Sequence, residues 1–315
     1  VFARGLRAPN GMCVGPGDVV TTGDNEGTWV PMCYVHIVKQ GSFVSVPDLS
    51  HKQPLPTAFE PHVLFMPKSV DNSSGGQVWV TSPKWGPLQG RLLHMSYGQS
   101  SLYEVLMQEA DGVVQGGVVR VPLKFATGLM RARFAPHDGE LYVAGQRGWQ
   151  TNGTEDGAIQ RVRYTGKPHV SPKALRVTDR GIHIDFHEAL EAESAGNPDN
   201  YSIEQYNYRW TSNYGSKEYR PSNPEELGRD ARDITGVRLS PDRKSVFLAV
   251  SGLRPVMQSE ITMRIKAQNG SQVPEKIYHT INAVPRETGP EPAGTLVQSG
   301  AAGEPDAGSG VALTL

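Results

Sequence analysis

With 315 residues, 37% of them hydrophobic and 20% charged, the chain is long enough for about two folded domains. Its 31 basic and 32 acidic residues nearly cancel, and no Lys/Arg stripe stands out that would neutralise a phosphate backbone, which argues against nucleic acid as a partner. No apolar run approaches the roughly 20 residues a membrane-crossing helix needs, and 35 Gly with 24 Pro, lacking any collagen-like period, indicate many tight turns between short strands.

The chain begins at Val1 with neither a Met nor a charged and apolar leader, which reads as a cut start. Gly15-Pro16-Gly17-Asp18 then introduces the strand Val19–Thr22. Cys13 and Cys33, the two cysteines, form neither a CxxC nor a CxxCH motif, so no haem attachment is expected, and two core thiols fit better than a disulfide. The segment from Gln53-Pro54-Leu55-Pro56 to Glu60-Pro61 cannot donate regular ladder hydrogen bonds and suits a loop between blades. His137-Asp138-Gly139 precedes the strand Glu140–Ala144, and Gly157 precedes Ala158–Tyr164. Such turn-strand units recur at about the 40- to 50-residue spacing of four-stranded propeller blades. We place three blades near 1–47, 60–110 and 113–166.

After Lys167-Pro168 the segments lengthen: 174–186, 200–210, 234–250, 260–267 and 276–284. They read as an immunoglobulin-like β-sandwich over 167–285. In Gly181–Phe186 the alternation puts Ile182, Ile184 and Phe186 toward a core and His183 and Asp185 toward water. His183, Asp185 and His187 are donors of the kind that hold zinc or iron. A strand face sets them in a line about 7 Å apart, however, and solvent-facing residues fit that line better. From 286 to 315 the Gly/Ala/Pro-rich composition buries little surface, so a flexible tail is expected. The fold class is therefore all-β: the C-terminal blades of a β-propeller over 1–166, a sandwich, and a tail.

Several phrases carry a family resemblance. Gly5 to Met12, Asp24-Asn25-Glu26-Gly27-Thr28-Trp29, the segment from Trp85 to Leu93, Ser96-Tyr97-Gly98, Gln115-Gly116-Gly117, Arg131-Ala132-Arg133, Asp138 to Val143, Arg147-Gly148-Trp149-Gln150 and Gln160 to Lys167 stand in that order. The series resembles the closing blades of glucose/sorbosone dehydrogenase propellers, nearest to multidomain bacterial proteins described as membrane-bound dehydrogenases. Through Tyr206-Asn207-Tyr208 and Pro255-Val256-Met257-Gln258 the resemblance continues into the sandwich.

That resemblance implies a periplasmic or secreted oxidoreductase acting on a carbohydrate of the aldose or sorbosone type with pyrroloquinoline quinone (PQQ), which supplies the redox chemistry while the protein orients. Arg131 and Arg133 occupy the family's Arg-x-Arg positions near the quinone, with Trp85 beside them. Two guanidinium groups two residues apart share a strand face and pair with carboxylates; equally, they would pair with acidic neighbours along the channel. Trp149 and Tyr97 are candidates for stacking on a sugar, alongside Trp29 and Trp79, although blade packing suits aromatic residues as well. Asp24 and Glu26 offer oxygen ligands for calcium, against the plainer reading of a turn that satisfies its own backbone. The family lysine falls at Gly98 and the family aspartate at Gln146, both uncharged. The family's catalytic His is expected upstream of Val1, with further blades and an electron-transfer domain, so this piece is expected to be inactive alone. The alternative function is a non-catalytic propeller and sandwich that binds carbohydrate or a protein. No GxSxG, HExxH or phosphate-binding glycine loop is present to start a hydrolase or nucleotide reading.

Overall fold

The structure, a computed structural model, describes residues 1–299. Three antiparallel meanders follow one another. The first runs through β1 (Pro9–Val14), β2 (Val20–Asp24), β3 (Cys33–Val38) and β4 (Leu64–Met66). The second runs through β5 (Ser74–Trp79), β6 (Leu92–Ser96), β7 (Ser101–Ala110) and β8 (Val113–Arg120). The third has three strands, β9 (Gly128–Phe134), β10 (Leu141–Gln146) and β11 (Gly157–Val162). Within each, strands pair in chain order, and the first strands β1, β5 and β9 stand side by side. This is the arrangement of successive propeller blades around an axis.

Close approach of the inner strands explains glycines that otherwise weaken a strand. A Cβ on Gly75 in β5 would come within 1.9 Å of the Leu129 carbonyl oxygen of β9, and one on Gly11 in β1 within 2.5 Å of the Gly76 Cα. The blade boundaries differ from those expected. Because Cys33 pairs with Met66, the Pro-rich loop lies inside the first blade, between β3 and β4, and the second blade extends to Arg120. Cys13 and Cys33 are both free, Cys33 fully buried and Cys13 half-buried.

The second half contains β12 (Pro172–Thr178), β13 (Gly181–Phe186), β14 (Tyr201–Tyr206), β15 (Asp230–Arg232), β16 (Ile234–Leu239), β17 (Ser245–Val250), β18 (Val256–Met263), β19 (Lys276–Ile281) and β20 (Leu296–Gln298). One face is ordered β12-β13-β17-β16-β20 and the other β15-β14-β18-β19. Without β20 these are the two sheets of an immunoglobulin-type sandwich. Between them lies one apolar cluster that includes Ile182, Ile184, Val237, Leu248, Ile261 and Ile277, each essentially inaccessible.

The alternation in β13 holds for its apolar face; its polar face differs from expectation. His183 Nε2 lies 2.9 Å from Glu287 Oε2, Ser245 Oγ donates to Asp185 Oδ1 at 2.6 Å, and both residues are half-buried. The cover comes from the segment assigned to the tail. Glu287 packs here, Arg238 pairs with Glu291 at 2.7 Å, and β20 adds to β16. The remainder of that segment, 300–315, lies outside the described residues.

The two halves share a sheet. β19 pairs with β8 through Tyr278–Val118, His279–Gly117 and Thr280–Gly116, so the second blade and one sandwich face form eight continuous strands. The 207–229 excursion of the sandwich grips the first blade: Trp29 N donates to Thr211 O at 2.9 Å and Trp210 Nε1 to Ser45 O at 3.0 Å. No helix among the described residues is long and apolar enough to cross a membrane.

Candidate functional site

The inner strands place Arg131 where three blades meet. Its Nη1 donates to Asn10 Oδ1 of β1 at 2.9 Å, to Met130 O at 2.7 Å and, more weakly, to Gly75 O of β5 at 3.4 Å. Asn10 is held in turn, since its Nδ2 donates to Ser74 O at 2.7 Å. Arg133, two residues on and on the same side of β9, is exposed and donates to the Ala132 carbonyl at 2.7 Å. Neither guanidinium has a carboxylate within 4.0 Å among the described residues, so the expected acidic neighbours are not their partners. Beside Arg131 opens a shallow groove of about 550 Å³ with a largely apolar wall that includes Phe2, Leu6, Met12 and Val38.

The other expected site residues lie elsewhere. Trp85 is buried at the opposite end of β9, its ring edge-on to Phe134 at 5.1 Å, within the apolar cluster between the second and third blades. There it offers packing surface and no face to a cofactor. Tyr97, also buried, and Trp149, 80% exposed, belong to a loop system at the start of β9. Thr151 Oγ1 donates to Tyr97 O at 3.0 Å, Asn152 N to Gly98 O at 2.8 Å, and Asn72 Nδ2 to Gln150 O at 3.0 Å. Gln146, paired with Gly128, is at that same end. Arg131 is three residues further along, about 10 Å at the usual rise of a strand. Of the expected set, only Arg131 and Arg133 share a face, and Trp149 with Tyr97 share a loop system.

Asp24 and Glu26 do not form a calcium cage. Asp24 is fully buried and accepts from the backbone N–H groups of Arg7, Ala8 and Asn25 at 2.8, 2.7 and 2.8 Å and from the Tyr34 hydroxyl at 3.0 Å. Burial pushes its carboxyl upward, against the pull of those four bonds. Glu26 pairs with Lys68 Nζ at 2.9 Å. The two carboxylates are thus already partnered, Asp24 by backbone N–H groups and Tyr34 and Glu26 by Lys68.

A second buried carboxylate, absent from the expected set, organises the second blade. Asp71 accepts from Ser74 Oγ at 2.7 Å, Ser96 Oγ at 2.6 Å and Ser73 N at 3.2 Å, and lies 2.7 Å from His94 Nε2. Its signal in the sequence is an aspartate opening the Asn72-Ser73-Ser74 turn, indistinguishable there from an exposed turn residue.

No family model and no curated protein sequence matches the chain. Among solved structures, a glucose dehydrogenase is similar at 19% identity and a TM-score of 0.39, over 52% of this chain and 46% of that one. An oxidoreductase from Thermus thermophilus, titled a glucose dehydrogenase, is similar at 17% identity and 0.38, over 51% and 46%. The soluble aldose sugar dehydrogenase of Escherichia coli in its apo-form is similar at 16% identity and 0.37, over 52% and 47%. The chain spans just under half the length of these structures.

Proposed function

We propose that residues 1–166 contribute the Arg131–Arg133 face to a quinone-dependent carbohydrate oxidoreductase of the periplasm or cell exterior. One observation carries this reading: two guanidinium groups without a carboxylate partner among the described residues stand on one face of the inner strand β9, next to an apolar-walled groove. A guanidinium fork matches a carboxylate with two parallel hydrogen bonds, and PQQ is a flat molecule bearing several carboxylates. Bound there, the quinone would supply hydride acceptance from a sugar hydroxyl. Arg131, anchored by Asn10, would fix the cofactor's orientation, and Arg133 would add charge at a second carboxylate. The exposed indole of Trp149 would offer an apolar face to a pyranose. Calcium has no role in this reading, because Asp24 and Glu26 are already paired.

Titration of the full-length protein with PQQ, followed by tryptophan fluorescence, tests the proposal. Micromolar binding is expected, weakened at least about tenfold by R131A or R133A. Binding that neither substitution changes, or no binding at micromolar quinone, overturns it. A second reading, a carbohydrate-binding module without catalysis, is favoured by the uncharged Gly98 and Gln146. It expects sugar binding without quinone, lost in W149A.

A further inference from the structure

A glutamate inside a buried run of strand needs partners. Glu104 interrupts the run Leu102-Tyr103-Glu104-Val105-Leu106 of β7 and is 1% exposed, with apolar Tyr103 and Val105 on either side. Two histidines from distant parts of the chain meet it. His169 comes from the connector between β11 and β12, and its Nε2 is 3.2 Å from Glu104 Oε2. His187 follows directly on β13, and its Nε2 is 3.9 Å from Glu104 Oε1. The imidazole rings are 5.2 Å apart, and one nitrogen or oxygen from each of the three residues falls within 4.8 Å of the others.

Two atoms of this cluster are buried without a hydrogen-bond partner among the described residues, Glu104 Oε1 and His187 Nε2, and the His187 side chain is only 7% exposed. Unpaired polar atoms in an interior are costly, so a pair of them facing one another calls for a ligand. Two neighbouring cations bear on the cluster. Arg91 Nε lies 3.7 Å from Glu104 Oε1, too far for a hydrogen bond but close enough to favour the ionised carboxylate. Lys244 Nζ donates to the His187 carbonyl at 3.2 Å, on the backbone side of the ring. Burial alone would raise the Glu104 carboxyl, yet the imidazoles of His169 and His187 with Arg91 hold it below the usual carboxylate range.

We infer that Glu104, His169 and His187 bind a divalent transition-metal ion, zinc by donor type, at the junction of the second blade and the sandwich. Zinc takes imidazole nitrogen and carboxylate oxygen at about 2.0–2.2 Å, which puts tetrahedral donors about 3.3 Å apart. The 3.2 Å between His169 Nε2 and Glu104 Oε2 already lies near that value, and His187 Nε2 is 3.9 Å from the other carboxylate oxygen, so side-chain rotations close the site. Water completes the fourth position. The ion joins three segments that are remote in sequence: a blade strand, the connector and the end of a sandwich strand.

The test is metal titration of the full-length chain after chelator treatment, with Zn²⁺ and separately with Co²⁺. One equivalent is expected to bind, Co²⁺ giving the visible absorption of a tetrahedral centre and Zn²⁺ raising the thermal midpoint. His169→Asn, at the most accessible of the three ligands, and His187→Gln should each weaken uptake at least about tenfold. His183→Asn, whose ring faces Glu287, should leave it unchanged. Lack of stoichiometric uptake by the native chain overturns the inference, and so does uptake that survives unweakened in folded His169→Asn. Should a ligand variant fail to fold, the native cobalt spectrum decides.

Discussion

The blades and the sandwich cohere in different ways. Between the sandwich sheets lies one continuous apolar cluster, whereas the blades divide theirs into smaller clusters separated by buried polar side chains. Asp24, Asp71, His36, His62 and His94 are all essentially inaccessible in the first two blades. His62 stacks on Tyr34 at 3.7 Å, and its Nδ1 is 3.0 Å from that of His36. A propeller blade is a narrow wedge that twists against two neighbours, so its inner turns must bury backbone and side-chain donors that a sandwich leaves at its rim. Side-chain carboxylates satisfy them. Specific hydrogen bonds thus reach into the blades, while contact area dominates between the sandwich sheets, although these also bury Gln205, Gln258 and Glu260.

Asp71→Ala should therefore show the largest effect, about 3–5 kcal/mol, because it leaves His94, Ser74 and Ser96 buried without their acceptor. Leu248→Ala at the sandwich centre should cost about 2–5 kcal/mol through a cavity alone. Both are read from urea midpoints. An Asp71→Ala loss below about 1 kcal/mol, the cost of an ordinary hydrogen bond, would break the contrast between the two regions.

Acid acts through the buried histidines of both regions. Burial lowers His36 to about 4 and His62 well below its usual range. Such groups are neutral in the folded state and take up protons on unfolding once pH drops below the ordinary histidine value of 6.5. The unfolded state then binds more protons, so stability falls as pH goes from about 6.5 toward 4. His36 should contribute on the order of 2 kcal/mol of loss at about pH 5, and His62 adds to it in the same direction. His279, on the shared strand β19 and lowered to about 3, adds to this. Urea midpoints at about pH 7.5 and about pH 5, on either side of the ordinary histidine value, measure the change, and His36→Gln should flatten it. The smallest effect is expected at Arg133→Ala, within about 0.5 kcal/mol in stability, since its side chain is exposed and, among the described residues, bonded only to the carbonyl of the preceding residue.

Local signals in the sequence predicted strands well. The turn at Gly15–Asp18 precedes β2 and the alternation of β13 defines its apolar face, because a period-2 pattern and a turn are decided within a few residues. β5 carried no such signal, since Ser74-Gly75-Gly76 lacks the β-branched residues of an ordinary strand and is required by contact with β1 and β9. The Pro-rich loop misled the blade boundaries because Pro marks a break in a ladder without saying which strands flank it. At the site, Arg131 and Arg133 were legible as a pair, while Asn10, 121 residues away from Arg131, was not. Glu104 is not singled out by the sequence, because its partner His169 is 65 residues away.

The ladder between β8 and β19 changes what a cut would do. Protease nicking near Lys167, or expression of 1–166 and 167–299 as separate polypeptides, would sever the covalent link and leave the strand pairing and the Trp29–Trp210 contact, ring centres 4.7 Å apart, to reunite the pieces. Split in this way, the halves are expected to act as a complementation pair, each presenting one side of the β8–β19 ladder to the other.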